Sequence, residues 1–134
     1  MCWNIHRRYS VFHGCNCFLG TPKKLPGRTG DSGIIGSGSY ADSLFGGASC
    51  TGWGESIMKV QMCGTAIRWL EFGVHKDAQS AADAIVDYLG KKVNGLGGII
   101  IIDKKGNYGI SYNTEKMAFA YVDNQDQIVA RITK

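Results

Sequence analysis

The chain has 134 residues, 44% of them hydrophobic and 19% charged, with 19 glycines and two prolines. That composition fits one small globular domain or part of a larger one, and it excludes a disordered chain or a tandem-repeat array. The net charge of +4 comes entirely from the first thirty residues, which carry Arg7, Arg8, Lys23, Lys24 and Arg28 and no acid.

A basic arm of this kind could touch nucleic acid or lipid headgroups, but a few solvated charges on a short segment are the simpler reading. No nucleic-acid or membrane partner is expected, and no apolar run is long enough for a membrane-spanning helix. Cys2, Cys15 and Cys17 crowd the opening with His6 and His13, while Cys50 and Cys63 lie far downstream. An odd total without a Cys-x-x-Cys pair supports neither a zinc site nor a disulfide framework, so no metal and no cofactor are expected. The opening residues also lack the continuous apolar core of a signal peptide, and a reduced, cytoplasmic setting is expected.

In chain order, "SGIIGSGSYA" (32–41) reads as a short strand leaving a glycine turn, and "FGGASCT" (45–51) as a second strand of small residues. From Gly54 to Phe72, apolar residues recur at helical spacing, with Gly73 placed to end the helix. "KDAQSAADAIVDYLGKKV" predicts a second helix, striped by Ala81, Ile85, Tyr88 and Leu89 and closed by Gly90 with two lysines. "GLGGIIIIDKKGNYGISYN" predicts a hairpin whose Ile99–Ile102 strand is buried on both faces. "MAFAYV" and "QIVARI" predict a closing strand pair. The expected class is α+β, a layered helix–sheet sandwich.

Two stretches could carry chemistry. In "LPGRTGDSG" (25–33), Arg28 and Asp31 share a glycine-rich turn that can aim both at one small volume. A guanidinium grips a carboxylate through two parallel hydrogen bonds, and a carboxylate grips an ammonium, so the pair suits a free amino acid. A surface turn with an incidental ion pair is the alternative. In "ASCTGWGES" (48–56), Thr51 offers a hydroxyl and Gly52 an unhindered N–H at the mouth of a helix, which together would make an oxyanion hole. Thr51 as a simple helix cap is an equal reading, and Glu55 is explained by the electrostatics of a helix start.

"LPGRTGDSGIIGSGSYAD", "ASCTGWGES", "GLGGIIIID" and "NTEKMAFAY" together resemble the β-subunit of plant-type L-asparaginase/isoaspartyl peptidase, with glycosylasparaginase as the close cousin. The resemblance covers residues 20–134 in order, and it implies an N-terminal-nucleophile hydrolase with a four-layer αββα sandwich whose other half is a separate α-subunit. It implies that Arg28 binds the substrate's α-carboxylate and Asp31 its α-ammonium. It further implies that Thr51 and Gly52 form the oxyanion hole and that Gly54 lines the pocket. The implied substrates are asparagine or β-aspartyl peptides, and the implied assembly is a homodimer of αβ units. Glu55, where glycosylasparaginases tend to have Asp, leans toward the asparaginase branch.

Residues 1–19 do not follow the pattern. In the family the N-terminal Thr freed by self-cleavage is the nucleophile, and counting back from Arg28 places it immediately before Met1. The family's "STGG" falls on Cys17, Phe18, Leu19 and Gly20, and Phe18 has no hydroxyl to support a nucleophile. Met1 to Asn4, read one base later, encode Cys, then Val or Ala, then Gly, near the family's Thr-Val-Gly. The segment is therefore read as divergent or frame-shifted. The chain as written is expected neither to cleave itself nor to turn over substrate, and without its sandwich partner it is expected to be marginally stable or associated. From another functional class, the alternative is a non-catalytic remnant or an aspartate-binding protein. A metal- or nucleic-acid-binding arm at residues 1–19 rests only on crowding of Cys, His and charge.

Overall fold

The computed structural model describes residues 25–122 and 127–132 fully, together with the backbone of 3–8 and 11–16. Strands β1 (Trp3–Arg8) and β2 (Val11–Asn16) pair antiparallel, with Trp3 opposite Asn16 and Arg8 opposite Val11. This hairpin lies against β3 (Ser39–Asp42) and β4 (Gly46–Gly52). Residues 3–8 and 11–16, which belong to the segment read as divergent, are thus extended along both arms of a hairpin. The suggested Cys and His ligands of this arm lie outside the residues whose side chains are described.

The centre is an antiparallel sheet in the order β3-β4-β5-β6, with β5 spanning Gly97–Asp103 and β6 Tyr108–Tyr112. Helix α1 (Gly54–Val60) follows β4 directly, then come α2 (Met62–Glu71) and α3 (Ala78–Val93). Helix α2 packs on β3 and β4, and α3 packs on β5 and β6. Alternation sends Ala48 and Cys50 of β4 and Ile99 and Ile101 of β5 into the core with Ile57, Met62, Ile67, Ile85 and Leu89. Burying each large aliphatic chain there contributes about 1.5–3 kcal/mol. Helix α3 approaches β6 so closely that a Cβ on Gly109 would stand 2.2 Å from the Ala78 carbonyl oxygen, which explains the glycine. The described elements therefore form a mixed α+β arrangement, as expected.

Several predicted boundaries move. The helix expected over Gly54–Phe72 breaks at Gln61, whose φ of 45° is left-handed, giving two helices. Gly73, with φ of 67°, does follow the end of α2. Helix α3 ends at Val93, where the predicted stretch ends, but left-handed Asn94 ends it and Gly90 lies within it, because one glycine costs a helix only about 1 kcal/mol when packing continues beyond it. Asp77 caps the start of α3, its carboxylate accepting the Ser80 N–H at 2.8 Å. The strand expected within 32–41 shrinks to Ser39–Asp42, since residues 31–38 are spent on turns. In the isoleucine run, Ile99, Ile100 and Ile101 are buried, whereas Ile102 is half-buried. The closing pair is present as β7 (Phe119–Val122) and β8 (Ile128–Arg131).

Candidate active site

The turn carrying Arg28 and Asp31 is tied down by its own main chain. Arg28 N–H donates to the Leu25 carbonyl at 3.2 Å, and the Asp31 carbonyl accepts from Ile34 at 3.0 Å and Gly38 at 3.1 Å. Gly27 and Gly30 take positive φ of 83° and 68°, conformations an L side chain resists. The loop then reaches the start of α2. There the Gly36 carbonyl accepts the Gly64 N–H at 2.8 Å and the Ser37 carbonyl accepts that of Cys63 at 3.4 Å, so amides with no partner inside the helix find one in the loop. From β4, the Cys50 N–H donates to the Gly38 carbonyl at 3.0 Å.

This anchoring brings Asp31 against the start of α1. A Cβ on Gly54 would lie 2.8 Å from Asp31 Oδ1 and 3.2 Å from its backbone nitrogen, so the carboxylate occupies space that only glycine leaves open. The Cys50 thiol, which donates to the Ser37 carbonyl at 3.1 Å, lies 3.8 Å from Asp31 Oδ2. Burial pushes the Asp31 carboxyl above the usual carboxylate range, against the opposing pull of a backbone hydrogen bond, the Cys50 thiol and the Arg28 charge. Burial likewise pushes the Cys50 thiol up.

Arg28 turns toward α1, where its Nη2 donates to Glu55 Oε1 at 2.6 Å. Glu55 therefore has a partner beyond the helix start that was expected to explain it, and this bond holds its carboxyl below the usual range. The partner of Arg28 in this ion pair is Glu55 and not Asp31, as an incidental pair within the turn would require.

Thr51 and Gly52 close β4, register partners of Gly98 and Gly97. Because Ala48 and Cys50 face the helices, alternation turns Thr51 toward the opposite face, shared with Ser49. Gly52 takes φ of 134°, and a Cβ there would fall 2.2 Å from the Leu96 carbonyl oxygen. That carbonyl accepts the Trp53 N–H at 2.9 Å. Trp53, not Thr51, is the cap residue of α1, and it provides no side-chain cap. Helix α1 has only seven residues, so its dipole adds little at its mouth and the local N–H groups matter more.

The structure thus gathers Arg28, Asp31 and Gly54 with Glu55 around one junction, and it places Thr51 and Gly52 on the strand end that leads into that junction. Among the described residues no cluster of three metal-ligating side chains occurs, and no helix is long and apolar enough to cross a membrane. What the sequence reading missed was the Arg28–Glu55 bond. Glycine freedom brings residues 28 and 55 within reach without any spacing rule to announce it.

Comparisons with known proteins place the chain in a family. A family model described as asparaginase matches residues 19–131. The isoaspartyl peptidase/L-asparaginase of Xenopus laevis is 41% identical over 109 residues, 81% of this chain and 34% of that protein. The Bos taurus protein of the same name is 41% identical over 101 residues, 75% of this chain and 32% of its own length. The Homo sapiens protein is 39% identical over 101 residues, with the same two coverages. The chain belongs to this asparaginase family, and it spans about a third of the length of the relatives it matches.

Proposed function

We propose that this chain carries the substrate-holding and oxyanion-stabilising part of a threonine-dependent amidohydrolase acting on asparagine's side-chain amide or on β-aspartyl peptides. Arg28 binds the α-carboxylate and Asp31 the α-ammonium. As the amide carbon becomes tetrahedral, the Thr51 hydroxyl and the Gly52 N–H take its oxygen's growing charge. The observation that carries this reading is the seating of Asp31 on Gly54 beside Arg28, at the end of the strand that carries Thr51 and Gly52. The names of the relatives favour these substrates over glycosylated asparagine.

In the assembled enzyme the described sheet and helices form half of an αββα sandwich, completed by an α-subunit, and αβ units pair as homodimers in the cytoplasm. No cofactor takes part, because the attacking group is a threonine hydroxyl assisted by its own α-amine. Phe18 falls where the family's supporting threonine stands and offers no hydroxyl, so this chain is proposed to bind the amino-acid product without turning over substrate.

Calorimetry with L-aspartate and an ammonia-release assay with L-asparagine test both halves of the reading. Expected are saturable aspartate binding, lost in Asp31→Ala, and no ammonia above background. A folded chain that ignores aspartate overturns the binding role. Clear turnover that disappears in Thr51→Ala overturns the claim that the chain does not turn over substrate.

A further inference from the structure

Thr51–Trp53 does not hold its own shape: its orientation depends on the turn at residues 94–97, and one side chain grips that turn. Asn113, just beyond the end of β6, accepts the Gly97 N–H through Oδ1 at 2.8 Å. Its Nδ2 donates to the Gly95 carbonyl at 2.9 Å, and its own N–H donates to the Gly97 carbonyl at 3.0 Å. One residue thus closes three hydrogen bonds around the two glycines that flank Leu96. The Leu96 carbonyl is the acceptor of the Trp53 N–H, and Gly97 pairs with Gly52 across the ladder.

The packing leaves this turn little room. A Cβ on Gly97 would meet the Thr51 carbonyl oxygen at 2.6 Å, and one on Gly95 would meet Ser56 Cβ at 2.7 Å. A shift of the 94–97 turn is therefore passed directly to the main chain of residues 51–53 and to the first turn of α1. An asparagine amide suits the task because it offers one acceptor and one donor in a fixed plane, matched here to one N–H and one carbonyl.

We propose that Asn113 is a positioning residue that sets the direction of the Gly52 and Trp53 peptide groups. Resting on the function proposed above, it thereby aims the oxyanion donors without touching substrate. Alanine removes both side-chain bonds. Aspartate keeps the acceptor but sets a carboxylate oxygen against the Gly95 carbonyl, and protonation of that carboxyl restores a donor in the same place.

The test is residue-resolved amide hydrogen exchange on the 15N-labelled full chain, comparing wild type, Asn113→Ala, Asn113→Asp and Asn107→Ala. Asn107 Nδ2 donates to Asp103 Oδ2 at 2.9 Å at the far end of the same hairpin, so its loss destabilises without touching the 94–97 turn. Expected for Asn113→Ala is exchange at Trp53 faster by about tenfold or more, with amides in the middle of α3 unchanged. Asn107→Ala should leave Trp53 alone. In Asn113→Asp, protection at Trp53 should return as the pH falls through the carboxyl's titration. Equal acceleration throughout the molecule, or none at Trp53, overturns the proposal. The site reading stands or falls separately, because it fails if wild type does not bind aspartate, whatever the exchange pattern.

Discussion

Asp31 faces two demands that conflict. A carboxylate pressed against Gly54 and partly shielded from water is costly to ionise, yet an ammonium can be gripped only by its ionised form. Its raised native pKa means the folded chain holds a proton there that the unfolded chain has already released. This residue's contribution to stability is therefore present at acid pH, and it is lost as the pH rises through the unfolded and then the native pKa. Asp31→Asn is expected to match or exceed wild type in Tm at neutral pH. That advantage should fade in acid, and aspartate binding should be lost throughout; thermal melts across pH with parallel calorimetry check this. A lower Tm for Asn at neutral pH would show that the ionised carboxylate is stabilising. Wild-type affinity for aspartate should fall as the pH drops through the native pKa of Asp31, since the ligand's ammonium then meets a neutral acid. Gly54→Ala is expected to weaken aspartate binding at least about tenfold, with a Tm change small enough to leave the fold intact, because its methyl group claims the place of Asp31 Oδ1. Undiminished affinity in that variant would mean that Asp31 does not need this seat. At this scale Arg28, Asp31, Thr51 and Gly52 stand out in the sequence by chemical type and glycine context. Which residues meet was less legible. The Arg28–Glu55 bond and the triple grip of Asn113 join positions far apart in the chain, which no local pattern records.

Among the elements, the sequence order of helices and hairpin was readable because periodicity and turn chemistry are local. The break at Gln61 was not. The apolar spacing runs through it, and it is the loop tied to Cys63 and Gly64 that requires α2 to start afresh there. Gln61, at φ 45° and ψ 56°, pays a conformational cost that glycine does not have. Gln61→Gly should therefore raise stability by about 0.5–1 kcal/mol, measured by urea denaturation, less whatever glycine gains as freedom in the unfolded chain. A clear loss would show that the glutamine side chain contributes more than its backbone costs. Asp77 is the reverse case, since its carboxylate serves the start of α3, and Asp77→Ala should cost about 1 kcal/mol in the same assay. A negligible change would mean that the cap hydrogen bond is matched by water.

For the molecule as a whole, the described residues leave large apolar side chains exposed. The central sheet ends on two edge strands, β3 and β6. Ile35 is 83% exposed, Ile128 79% and Leu25 73%; Leu25 and Ile35 lie on either side of the Arg28–Asp31 turn and Ile128 opens β8. The purified chain is expected to associate with increasing concentration and to bind a hydrophobic dye, as followed by light scattering and fluorescence. A cooperative unfolding transition in a strictly monomeric sample would contradict this. The α+β class could be read from the order of elements, whereas the pairing of residues 3–8 with 11–16 could not. Crowded Cys, His and Arg do not announce a strand, yet the backbone pairs Trp3–Arg8 with Val11–Asn16, because strand preference follows context more than residue type.

The loop that presents Asp31 is fastened by that residue's carbonyl, which takes both the Ile34 and the Gly38 N–H, while its carboxylate sits against Gly54 and the Cys50 thiol. On the proposed function, shape and recognition are thus assigned to different atoms of one amino acid. A single codon change at this position would then erase or redirect ligand choice and leave the scaffold standing. Such a lineage could lose its chemistry long before it lost its architecture.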